Sequence, residues 1–141
     1  GRQPAAEVAL VHDAWILGEY QGMDRLVRTI HAASVETACL SNTNARHWEL
    51  MTAQPLTYPA FAALGRRQAS HLLGLAKPDP AIYRAFEKHS GVPAGTILFF
   101  DDRTENVAAA RNAGWHAELI DPRGDTTAQA AAVLQRLGLG V

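Results

Sequence analysis

Cysteine is almost absent. Cys39 is the only one in 141 residues, so no disulfide can form within the chain, and a reducing, cytoplasmic setting is expected. Cys39 lies in an apolar run and reads as a small buried hydrophobe. Long apolar runs are absent too: none approaches the roughly 18 residues a membrane helix needs. The N-terminus has no basic region followed by an apolar one, so neither a membrane partner nor a secretory leader is expected. Excess charge is also missing. Thirteen basic and 14 acidic residues leave a formal net charge of -1, which excludes a global basic field for nucleic acid. Any anion site must therefore be local. What remains is 48% hydrophobic, enough for one packed core in a chain of single-domain length.

Val8, Val11 and Trp15 recur at helical spacing and predict a helix over Pro4–Tyr20, broken by Gly22. Leu26, Val27 and Ile30 give a second helix over Met23–Ala33. A strand over Glu36–Leu40 runs into the polar stretch Ser41-Asn42-Thr43-Asn44, and a short helix over Ala45–Met51 follows. Thr52–Gln68 resists assignment, because Pro55 and Pro59 argue against long regular structure. Ile82, Tyr83 and Phe86 share a face of a helix over Pro80–His89. Thr96–Phe100 is wholly apolar, the mark of a strand buried on both faces. A helix through Val107 and Ala110 ends at Gly114, a strand spans Trp115–Ile120, and a last helix covers Thr126–Leu137. This alternation predicts a Rossmann-like, three-layer α/β fold with a parallel sheet. In such sheets ligands bind at the C-terminal strand ends, and the polar clusters sit at those ends.

Three clusters carry possible chemistry. Ser41 and Asn42, with backbone N–H groups at the start of a helix, would cradle a phosphate; an ordinary helix cap is the plainer alternative. Lys77, in Gly74-Leu75-Ala76-Lys77-Pro78, could neutralise a phosphoryl group and a nearby carboxylate; the alternative is an exposed surface lysine. Asp101 and Asp102 follow a buried strand and repel each other. Oxygen-only ligands in an open site favour Mg²⁺, whereas a cap accounts for only one of the two.

Together, "LSNTN", "GLAKPDPAIY" and "ILFFDDRTENVAAARNAGW" closely resemble motifs II, III and IV of the haloacid dehalogenase (HAD) superfamily, and within it the small phosphatases. The resemblance covers residues 24–122, apart from Thr52–Gln68, where the strand expected before Ser70 is not visible. It implies a Mg²⁺-dependent hydrolase of small phosphorylated metabolites, working through an aspartyl-phosphate. Ser41 and the Asn42 backbone would hold the phosphoryl oxygen, and Lys77 would pair with the nucleophile and the phosphate. Asp102 would ligate Mg²⁺ directly and Asp101 directly or through water. Asn106 would tie down the metal loop without touching the ion. His71, Trp48 and Arg103 lie near strand ends, where packing or surface roles compete with substrate contact.

The family's first motif, Asp-x-Asp, is not in this sequence. Asp13 is the one early candidate, but Trp15 stands where the second acid belongs, and the helical spacing speaks against a strand. Residues 1–22 instead resemble the remnant of a helical cap, with His12 and Trp15 as packing residues, and 23–141 an HAD-like core lacking its first strand. That reading expects a strand from upstream sequence, or one exchanged between copies, and a fragment inactive by itself. A non-catalytic binding or assembly module is the alternative. A dehalogenase ranks below both, since it has no use for paired acids at motif IV. A response-regulator receiver is excluded by order, because its acidic pair comes first in the chain and its lysine last.

Overall fold

The computed structural model describes residues 18–141. Most of the helix expected over Pro4–Tyr20, together with His12, Asp13 and Trp15, lies outside the described residues. Residues 18–20 are irregular.

The order is α1 (Met23–Ala32), β1 (Ala38–Ser41), α2 (Ala45–Ala53), α3 (Pro59–Ala63), β2 (Arg66–Ala69), α4 (Ser70–Leu73), α5 (Pro80–Ser90), a 3₁₀ turn (Ala94–Thr96), β3 (Leu98–Asp101), α6 (Thr104–Asn112), β4 (His116–Leu119) and α7 (Thr126–Arg136). The strands form two parallel pairs, β1 with β2 and β3 with β4. Among the described residues no ladder joins the two pairs.

Local chemistry sets the helix boundaries. Asp79 caps α5 by accepting from the Ala81 N–H at 2.8 Å, and Pro80 occupies the first turn, where a missing N–H costs nothing. Gly91 ends the helix at φ 70°, a left-handed conformation that favours glycine. Asp125 caps α7 through the Ala128 N–H at 2.9 Å.

β3 separates two apolar clusters. On one side Phe99 packs with Leu40, Ile82, Tyr83, Phe86, Val107, Ala110 and Trp115. On the other, Leu98 and Phe100 rest against Leu26, Ala130 and Leu134 from α1 and α7. Helices therefore cover both faces, as the wholly apolar run predicts. Trp115 anchors the first cluster. Its ring meets Tyr83, Phe86 and Phe99 edge-on at 5.1, 5.4 and 5.7 Å, and its indole N–H donates to Glu87 Oε1 at 2.7 Å. Each such ring pair contributes about 0.5–1.5 kcal/mol beyond area burial.

Thr52–Gln68 is where the sequence expectation fell short. It holds α3 and most of β2, and β2 (ending at Ala69) is the strand expected before Ser70. Cys39 is half-buried in β1, and burial pushes its thiol up to about 11, so it stays protonated at neutral pH. No helix among the described residues is long and apolar enough to cross a membrane.

Candidate active site

Parallel pairing puts the C-terminal ends of β1 and β2 side by side, with Ser41 opposite Ala69. Ser41 closes β1 and is half-buried. The cap role in this polar stretch belongs to Asn44, whose Oδ1 accepts from the His47 N–H at 2.9 Å. Ser41 and Asn42 are thus not the residues that cap α2.

Asn42 instead reaches across to Lys77. Its Nδ2 donates to the Lys77 carbonyl at 2.8 Å, and its Oδ1 accepts from the Lys77 N–H at 2.8 Å. Sequence reasoning gave Asn42 a backbone role toward phosphate and overlooked this side-chain bond. A polar amide just past a strand end, carrying both donor and acceptor, was the available signal.

The Lys77 ammonium does not sit on the surface. It lies 2.6 Å from Asp101 Oδ2, with the two side chains only 9% and 5% exposed. It also stands 5.3 Å from the Phe99 ring centre. Asp101 Oδ1 accepts from the Arg103 N–H at 2.9 Å and from the Asn106 amide at 3.0 Å. Burial alone would raise the Asp101 pKa, but the bonds from Lys77, Arg103 and Asn106 outweigh it and hold the carboxyl below its ordinary 3.8. The cation that compensates Asp101 here is therefore Lys77. Alternation along β3 carried that signal, since Asp101 shares the buried face with Phe99.

Asp102 lies just past the strand and is exposed. The two adjacent acids thus live in different environments. Asn106, buried, holds Asp101 through its side chain, while its backbone carbonyl accepts from the Tyr83 hydroxyl at 2.9 Å. Burial, and then the charge of Asp101, push the Tyr83 phenol up to about 12. Among the described residues no three His, Cys, Asp or Glu side chains gather as a metal-holding group.

Trp48 packs edge-on against Phe61 at 5.2 Å and His71 at 6.0 Å. Arg103 pairs with Glu105 at 2.6 Å on the surface. A further residue was not anticipated: Glu19, whose carboxylate accepts from the Ala60 and Phe61 N–H groups at 2.7 and 2.6 Å.

Helices on both faces of parallel strands, with polar side chains gathered at the strand ends, define a Rossmann-like α/β core. The chain belongs to the haloacid dehalogenase-like hydrolase family, whose model matches residues 3–114. It is 41% identical to phosphatase MT3486 of Mycobacterium tuberculosis over 70 residues, which is 50% of this chain and 32% of that protein. It is 28% identical to (DL)-glycerol-3-phosphatase 2 of Arabidopsis thaliana over 116 residues, 79% of this chain and 48% of that one. The chain thus spans less than half the length of either relative. A HAD family enzyme from Bacteroides thetaiotaomicron, crystallised as an aspartate-to-alanine mutant with magnesium and inorganic phosphate, superposes with a TM-score of 0.78 at 18% identity. That match covers 88% of this chain and 65% of the other. At that identity the likeness shows the fold.

Proposed function

We propose that this chain carries the phosphate- and magnesium-binding part of a phosphomonoester hydrolase acting on small phosphorylated metabolites. The observation that carries the reading is the continuous bridge from Asn42 to Lys77 to Asp101 to Asn106, which joins three segments distant in sequence. Packing alone does not call for that combination. The phosphatase names of the two relatives support the same substrate class. In this reading residues 1–22 are the remnant of a cap and 23–141 the core.

The Ser41 hydroxyl and the Asn42 N–H would hold phosphoryl oxygens, and the Lys77 ammonium would offset their charge. Asp102 would hold Mg²⁺, with Asp101 contributing directly or through water. The donor set suits that ion, because Mg²⁺ is commonly bound through one or two carboxylates plus phosphate and retained waters. When bound, it would supply a Lewis acid for the phosphoryl oxygens. The reaction served would be attack by an aspartate on phosphorus, breaking the P–O ester bond and releasing the alcohol, to give an aspartyl-phosphate that water cleaves to the free carboxylate and inorganic phosphate.

A second reading, a binding module without turnover, draws on the closed Lys77–Asp101 pair, in which both charges are already satisfied at 2.6 Å. Calorimetry with Mg²⁺ and inorganic phosphate separates the two. Binding at millimolar or better, lost in Asp102→Asn, supports the hydrolase site, while silence favours the module. Turnover of a chromogenic phosphomonoester by the full-length protein that survives Asp102→Asn unchanged would count decisively against the hydrolase reading.

A further inference from the structure

We infer that Asn42 and Ser70 are positioning residues: their side chains splint the loop after β1 to the segment carrying Lys77, and so fix the Lys77 ammonium relative to Ser41. The inference rests on the phosphate-site reading for its functional meaning but not for its geometry.

The β1–β2 ladder ends at the Ser41–Ala69 pair. Beyond it, two side chains continue the pairing. The Asn42 amide makes both bonds a backbone partner would make, donating to the Lys77 carbonyl and accepting from the Lys77 N–H, each at 2.8 Å. Only one orientation of the amide satisfies both, since its oxygen must face the N–H and its nitrogen the carbonyl. The Ser70 hydroxyl does the reverse service. It accepts from the Thr43 N–H at 3.1 Å and donates to the Thr43 carbonyl at 3.0 Å. Four hydrogen bonds therefore join residues 42 and 43 to residues 70 and 77.

Capping does not account for them, because Asn44 caps α2. Nor does regular structure, because Lys77 lies between α4 and α5, outside any helix or strand. The result is a lysine held at both ends, by Asn42 at its backbone and by Asp101 at its ammonium. A long flexible side chain aims reliably only if its root is fixed. Fixing the root to the residue after Ser41 ties the hydroxyl and the ammonium into one unit.

Native-state hydrogen exchange on the whole chain reads the splint directly. In Asn42→Ala the Lys77 amide should exchange about five- to tenfold faster, with the amides of β3 unchanged. Asn42→Asp keeps the acceptor for the Lys77 N–H and should retain most of that protection. Ser70→Ala should act likewise at the Thr43 amide. Wild-type exchange at Lys77 in Asn42→Ala overturns the splint. Inorganic phosphate, titrated with Mg²⁺, should bind Asn42→Ala about tenfold more weakly, although Ser41, Lys77 and the backbone N–H of residue 42 all remain. Faster exchange with unaltered phosphate affinity refutes the positioning role. If the wild-type chain takes up no phosphate, the hydrolase reading fails, and the exchange data still decide whether the splint exists.

Discussion

The Lys77 ammonium and the Asp101 carboxylate meet at 2.6 Å with almost no access to water. A buried pair of this kind is worth little net against apolar replacements, but breaking it strands a charge. Lys77→Met should therefore destabilise the chain by about 3 kcal/mol, the low end of the usual range, because Arg103 and Asn106 still serve the other Asp101 oxygen. The double variant Lys77→Met/Asp101→Asn should cost clearly less than the sum of the two single changes. Urea unfolding of the four proteins measures both; strict additivity would show that the two groups do not interact.

Acid should act through the same carboxyl. Its folded pKa lies below the ordinary 3.8, so its stabilising contribution is fully present above the unfolded value. It is lost as pH falls from there through the lower folded value. Stability followed from pH 6 to pH 2, a window set by roughly two units either side of a carboxylate pKa, should fall in the wild type. Asp101→Asn starts less stable and should lack that part of the slope. Parallel curves for the two proteins would remove Asp101 as the source.

Much of the fold was legible because its signals are local. Proline and aspartate open α5, Gly91 closes it, and the apolar run at β3 needs cover on both faces. β2 was not, because Arg66-Arg67-Gln68-Ala69 carries no apolar alternation. Among the described residues it pairs with β1 on one side only, and just one of its residues, Ala69, is buried. The candidate site residues could be named from local signals: Ser41 and Asp101 close β1 and β3, Asp102 follows β3, and Lys77 precedes the proline-opened α5. Their partners could not. Which aspartate takes the lysine depends on the burial of β3, and the Asn42–Lys77 bond spans 35 residues.

Glu19 is a similar case, a contact across 41 residues that no local pattern announces. Its two oxygens accept from the first free N–H groups of α3 at 2.7 and 2.6 Å, fastening the segment before α1 to the core. Glu19→Ala should lower stability by about 1–3 kcal/mol, and Glu19→Gln, which keeps one acceptor, by roughly half of that. Thermal unfolding of the three proteins checks the order. Equal melting of Glu19→Ala and the wild type would show that the clip carries no weight.

Asp101 and Asp102 are adjacent in sequence and opposite in circumstance, and under the proposed function the difference would separate folding from binding. Asp101 is 8% exposed and bonded through both oxygens, whereas Asp102 is exposed, with no bonding partner found among the described residues. Asp102→Asn should therefore leave the unfolding free energy, measured in urea, within about 0.5 kcal/mol of wild type. Removing its charge also relieves repulsion toward Asp101. Asp101→Asn should cost about 1–3 kcal/mol, because an amide cannot take all three donors as an anion does. The order reverses for the ion. Mg²⁺-dependent phosphate binding should vanish in Asp102→Asn, while Asp101→Asn, kept well below its unfolding midpoint, should retain a weakened form of it. The two variants crossed against the two assays form a four-way test. Equal destabilisation by both, or equal loss of binding, would mean that the buried and exposed carboxylates do not divide the work as proposed.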